Sequence, residues 1–325
     1  MRNGVMKAFA TVLGFGATLA LAQPAAAQDY PTKPVRIIIA FKAGGAVDTV
    51  ARAVGAALQQ SLGQPFVVDY RPGGATNIAV KALIDAPPDG HTLMLTANNA
   101  AINPVLFTPP PFDPEKDFVP VSMVGRVPVV IAAHNSFPAS TPTELVRMAK
   151  EQPGAISFGS PGNASTPHLA VELLSSAAGI KLRHIPYQGG AAALNDLMGN
   201  HIPVVATNAL EVAPLATAGK IKVLAALSSE RIPTMPQVPT MAESGFPGFE
   251  ATVWYGFIAP KGTPQPVTRK LHAAIQKALA TPEVQARMQQ VGGAVAPGST
   301  EMFTTLIRSE RERYAKLISE TGIKP

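Results

Sequence analysis

Cysteine is absent from all 325 residues. That excludes disulfides, thiolate metal sites and a lipid-modified N-terminal cysteine. Beyond the first 27 residues no apolar run is long enough to span a bilayer. No H-E-x-x-H or other close pairing of histidine with acid supports a metal site. It also has no G-x-S-x-G elbow; Ser160 in FGSPG has its glycine at the wrong offset. Strong charge is missing too. Setting aside Arg2 and Lys7, 25 of the 27 basic residues face 21 acidic ones, a net charge of +4. The basic residues are scattered, which argues against nucleic acid and is compatible with a small anionic ligand.

What is present begins with an address. Arg2 and Lys7 form a basic n-region, residues 8–22 an Ala-, Leu- and Val-rich run, and Ala25-Ala26-Ala27 a small-residue cleavage site. Residues 1–27 therefore read as a secretory signal peptide, with the mature chain starting at Gln28. The expected location is the periplasm, where the mature chain is soluble. About 300 residues remain, more than one core usually takes, so two domains are expected.

The organising stretch is 35–53, VRIIIAFKAGGAVDTVARA. A β-branched run at 35–41 suits a buried strand. Lys42-Ala43-Gly44-Gly45 then turns, and Val47, Val50, Ala51 and Val54 recur at helical spacing from Ala46 onward. Strand, glycine turn and helix N-terminus leave backbone N–H groups free, and the helix dipole favours an anion there. Neither G-x-G-x-x-G nor G-x-x-x-x-G-K-[ST] occurs in this unit, so nucleotide binding has little support.

Further strands are expected at 64–70 and 91–97, with a helix at 77–86 between them and Asn98-Asn99 as a polar tip. A proline-rich passage at 103–120 interrupts the alternation. The strand at 127–133 enters a second lobe, where Thr141, Pro142 and Glu144 spell a capping box. Residues 156–160, 161–166 and 168–178 repeat the strand–loop–helix unit. Strands at 181–186, 201–207 and 222–227, a helix at 191–198 and a return crossing at 254–259 follow. Helices are expected at 267–279, 282–291 and 300–321. Strands alternating with helices point to an α/β class with a parallel sheet. The expected domains are lobe 1 at residues 28–126 and 257–325 and lobe 2 at 127–256, with hinge closure over the cleft between them. Ligands sit beyond the carboxyl ends of strands in such sheets, and one small-residue turn per lobe lies at such an end. This pattern describes a clamshell receptor for a small acid.

The chain resembles the Bug family of periplasmic solute-binding proteins, receptors of tripartite tricarboxylate transporters. The resemblance rests on YPTKPVRIIIAF at 30–41, GGAVDTVAR at 44–52, LGQPFVVDYRPGG from Leu62, PPDGHTL from Pro87, NPVLF from Asn103 and FDPEKDFVPV from Phe112. HIPYQGG from His184, VPTMAESGFPGFE from Val238 and WYGFIAPKGTP from Trp254 extend it over the mature chain. It implies the type II periplasmic-binding fold, a small organic acid as ligand and integral-membrane permease subunits as partners. No cofactor or metal is expected, and the chain is expected to be a monomer. By resemblance the ligand is held by Phe41, Gly44, Gly45, Ala46 and Asp48 of the first loop and by Ser160, Gly162, Ser165 and His168 of the second. Asn163, Ala164 and Thr166 would supply further donors. Lys42 stands at a usual proline, Ala164 at a common glycine and Pro203 at a usual aspartate.

For Asp48 the N-cap preference of aspartate favours a structural role over ligand contact. His168 and His184 read as hydrogen-bonded structural histidines, Trp254 as hinge packing, and Tyr187 as a candidate lining of the cleft. Two other classes remain: a sensor receptor presenting its ligand to a membrane signalling protein, and a secreted hydrolase built on Ser165, His168 and a remote aspartate.

Overall fold

The computed structural model describes residues 30–325. The expected signal peptide and the start at Gln28 lie outside the described residues. The first unit is β1 (Val35–Ile39) running into α1 (Ala46–Leu62). Then come β2 (Phe66–Tyr70), α2 (Asn77–Ile84), β3 (Thr92–Thr96) and α3 (Asn99–Leu106). The long strand β4 (Phe118–Ala133) leads to α4 (Pro142–Glu151), β5 (Ser157–Ser160), α5 (Thr166–Ala178), β6 (Arg183–Pro186) and α6 (Gly190–Met198). Next are β7 (Val204–Asn208), α7 (Ala209–Thr217), β8 (Lys222–Ala226) and β9 (Thr252–Pro260). The chain ends with α8 (Gln265–Leu279), α9 (Pro282–Gln290), β10 (Ala294–Val295) and α10 (Thr300–Thr321).

The strands follow the order β2-β1-β3-β9-β4-β7-β5-β6, with β8 and β10 also on β4. Strand β4 joins the two halves. It pairs with β9 up to Pro128 opposite Thr252, then with β7 from Val129 opposite Asn208. Strand β9 lies in the first sheet, between β3 and β4, where Trp254, Tyr255 and Gly256 pair with Arg126, Gly125 and Met123. The chain has already re-entered the first sheet at Thr252. Two α/β lobes thus share one strand, in a two-lobed fold.

Alternating side chains sort the core into faces, as the strand period requires. Val35, Ile37 and Ile39 of β1 pack with α1, α8 and α9, whereas Ile38 packs with α2, α3 and α10. In the second lobe Val204 and Ala206 face α4 and α5, and Val205 faces α6 and α7. Tyr314 and Leu317 of α10 reach Ile102 and Leu106 of α3 and also Ala164 and Leu169 of the second lobe. The C-terminal helix therefore packs on both lobes.

Two expectations need correction, and one helix was not foreseen. Asn98-Asn99 is not a polar tip but the start of α3, and Pro104 lies inside that helix. The unforeseen helix, α7, follows β7 directly with Pro214 inside it. The proline-rich passage ends earlier than expected, because β4 starts at Phe118 and absorbs Pro120 by a register shift before Ser122. In each case packing overrides a local breaker.

Candidate functional site

Parallel pairing of β1 with β2 and β3 puts the first loop at the same sheet end as the turns after Tyr70 and Thr96. Gly44 has φ +90°, a left-handed conformation that glycine adopts without Cβ strain. Phe41, Lys42, Gly44 and Gly45 are exposed and Ala46 half-buried. Among the described residues the backbone N–H groups of Gly45, Ala46 and Val47 have no backbone partner, as expected at the start of a helix.

Asp48 holds this loop in shape. Its Oδ2 accepts the Gly44 N–H at 2.8 Å, and its Oδ1 accepts Arg52 Nε and the Tyr70 hydroxyl, each at 2.8 Å. Burial pushes its carboxyl up, but the bonds from Gly44 and Tyr70 and the charge of Arg52 outweigh it and hold the group below the usual carboxylate range. With both oxygens engaged and the side chain buried, Asp48 shapes the loop from below.

The second loop is tied more tightly. Ser160, fully buried, donates its Oγ–H to the Gly162 carbonyl at 2.9 Å. Its Oγ lies 2.7 Å from His184 Nε2, so the imidazole donates there. Ser165 caps α5 by accepting the His168 N–H and donates to the Gly162 carbonyl at 2.8 Å. Ala164 has φ +53°, which explains why glycine suits that position. Its N–H donates to His168 Nδ1 at 2.9 Å. Asn163 Nδ2 donates to the Lys324 carbonyl at the C-terminus, at 2.7 Å. Among the described residues the N–H groups of Asn163 and Thr166 have no backbone partner.

His168 and His184 lie beneath this loop. Burial, then the neighbouring His168, pushes His184 down to about 3. The hydrolase arrangement fails on geometry. His168 points Nδ1 at a backbone amide, Ser165 is spent on its cap, and Ser160 has no exposed surface. Tyr187 is half-buried. Its N–H bonds the Ser160 carbonyl at 3.0 Å, and its hydroxyl donates to Asp196 at 2.7 Å. Burial and Asp196 push that phenol up to about 12. Trp254 is 2 % exposed and meets Phe303 edge-on at 5.4 Å, so it is core packing of the first lobe. No group of three or more His, Asp or Glu suited to a metal occurs among the described residues.

Sequence reasoning missed two further segments. Gly73, Gly74, Ala75 and Thr76 all have positive φ, a strained turn beyond β2 held by Asn103, whose Nδ2 donates to the Ala75 carbonyl at 2.7 Å. The glycine pair signals a turn but not its strain. The second segment is the start of α7, and no local pattern marks it.

Comparisons with known proteins agree with this architecture. Residues 50–323 match the model of the family described as "Tripartite tricarboxylate transporter family receptor". Protein BugT of Bordetella pertussis is 35% identical over 312 residues, covering 95% of this chain and 96% of BugT. The structure of periplasmic binding protein BugD superposes with TM-score 0.80 at 34% identity, covering 91% of this chain and 99% of BugD. Rpa4515 of R. palustris, solved with adipate, gives TM-score 0.82 at 30% identity over 91% of this chain and 99% of its own. The family model describes a receptor, and BugD is a periplasmic binding protein. The chain belongs to the tripartite tricarboxylate transporter receptor family, among the periplasmic binding proteins.

Proposed function

We propose that the mature chain captures a small organic acid between its lobes in the periplasm and hands it to the permease subunits of a tripartite tricarboxylate-type transporter. The observation that carries this reading is the pair of loops at 41–48 and 160–168. Each stands at the carboxyl end of a parallel strand and opens a helix with unpaired N–H groups, in the polarity that suits a carboxylate. Phe41, Gly44, Gly45 and Ala46 contribute from one lobe, and Gly162, Asn163 and Thr166 from the other. Ser160, Ala164, Ser165 and His168 shape the second loop, and Tyr187 flanks it. Adipate in Rpa4515, a relative of the same fold, supports an acid ligand.

The lobes hinge where β4 changes partners after Pro128 and where β9 begins. Residues 1–27 direct export and are removed, and the receptor works as a monomer. A thermal-shift screen of the mature protein against organic acids tests the reading, because a ligand that binds only the folded state raises apparent stability. An upward shift with at least one acid, recovered unchanged afterwards, is the expected result. Stabilisation by none, or turnover of the acid, overturns it.

A further inference from the structure

The second lobe offers the cleft another strand end. Strands β5 and β7 are parallel neighbours, with Gly159 opposite Val205, so Asn208 emerges at the same sheet end as Ser160. Their helices depart to opposite faces, α5 with α4 and α7 with α6. A crevice opens where adjacent strands send their helices apart in this way, and ligands occupy it.

The β7 side of that crevice is lined by hydrogen-bond acceptors. Glu211, at the start of α7, folds its carboxylate back over the end of β7, where the buried Thr207 hydroxyl donates to it. The carboxylate stands so close to Gly190, the first residue of α6, that any side chain there would collide with it. Burial pushes this carboxyl up, with the Thr207 hydroxyl partly offsetting it, as suits a group packed between the ends of β7 and α6 and not out on the surface. Asn208 occupies the N-cap of α7 without capping it, and its Oδ1 is buried with no partner among the described residues. A desolvated acceptor left unpaired is costly. A ligand carboxylate cannot relieve either group, since it brings only further acceptors.

We infer that Asn208 and Glu211 form a subsite that reads a hydrogen-bond donor, so that the preferred acid carries a hydroxyl or ammonium group beside the carboxylate. This rests on the receptor reading above. It also makes Gly190 a specificity position, because only glycine leaves Glu211 in place over the crevice.

Matched triplets test the inference: the plain, 2-hydroxy and 2-amino forms of mono- and dicarboxylic acids of three to six carbons. They are titrated by calorimetry into the mature receptor and its Glu211→Gln and Asn208→Ala variants. For the best-binding skeleton, a donor-bearing member should bind at least tenfold more tightly than the plain acid. Glu211→Gln keeps an acceptor but removes the charge, and should weaken the amino acid at least fivefold more than the plain acid. Plain acids that bind as tightly as both partners, or equal losses across a triplet, overturn the inference and leave the receptor reading standing. Binding of no acid overturns both. The wild-type triplets decide by themselves if a variant does not fold.

Discussion

The imidazole rings of His168 and His184 stack 3.6 Å apart with their planes 9° from parallel, directly beneath the second loop. Each spends one nitrogen on that loop, His168 on the Ala164 amide and His184 on the Ser160 hydroxyl. Two rings this close cannot both be cationic without repulsion. Together the two rings fix both ends of the loop.

Acid should loosen this pair. Burial and then His168 push His184 down to about 3 in the folded protein, below the ordinary value near 6.5. The unfolded chain thus binds a proton between those values that the folded chain refuses. The resulting stability is present above about pH 6.5 and drains away as pH falls toward 3. His184 is half-buried and its charge partly screened, so the expected slope is roughly 0.5–1 kcal/mol per pH unit. Denaturant melts of wild type and His184→Gln at pH 7, 6, 5 and 4 check this. The variant should lose less stability on acidification than wild type; parallel curves would remove His184 from the account.

Asp48 gives a second expectation. Its carboxylate joins Gly44, Arg52 and Tyr70, and removing it leaves the Gly44 N–H and the Tyr70 hydroxyl without this acceptor. Asp48→Ala should cost about 1–3 kcal/mol, which lowers Tm by several degrees, and should weaken acid binding by disordering the first loop. Calorimetry and a thermal melt on the same sample separate this from a contact role. Lost affinity with an unchanged Tm would make Asp48 a ligand contact.

The first loop and the capping box were legible because their signals are local. Thr141 accepts the Glu144 amide and Glu144 reaches back, as the Thr-Pro-x-Glu spelling implies. The helices α3 and α7 were not: Pro104 falls in the proline-rich passage, no element is expected over 208–221, and both helices pack through contacts with α10 and the α6 face. Asn208 and Glu211 were illegible for another reason. Strand β7 comes after β6 in the chain but inserts between β4 and β5, and that insertion alone sets them beside Ser160. Ala164 is intermediate: a departure visible by resemblance, whose left-handed backbone only the fold displays.

Closure is expected to be measurable. Among the described residues only β4 is shared between the two sheets, and β9 enters the first at Thr252, so few backbone links resist rotation. The C-terminal helix packs on both lobes through Tyr314 and Leu317. Small-angle scattering of the mature protein should show a smaller radius of gyration when a stabilising acid saturates it. A curve unchanged at saturation would mean a preformed, rigid pocket.

Lys42 sits in the first loop, exposed and without an ion pair among the described residues. The helix N-terminus beside it already favours a carboxylate by about 0.3–2 kcal/mol. An ammonium on a flexible stem adds a charge-assisted hydrogen bond worth roughly 1.5–3 kcal/mol if a ligand oxygen comes within reach. Such a group rewards a second carboxylate on the ligand more than a neutral amide. Titrating wild type and Lys42→Ala with a dicarboxylate and with its monoamide separates the two. The substitution should weaken the dicarboxylate about tenfold or more and the monoamide far less, with the gap widening at low ionic strength because the cation is exposed. Equal losses, or none, would leave Lys42 a solvated side chain. Ligand choice would then fall to the second lobe, where Asn208 and Glu211 stand beside the Ser160 loop.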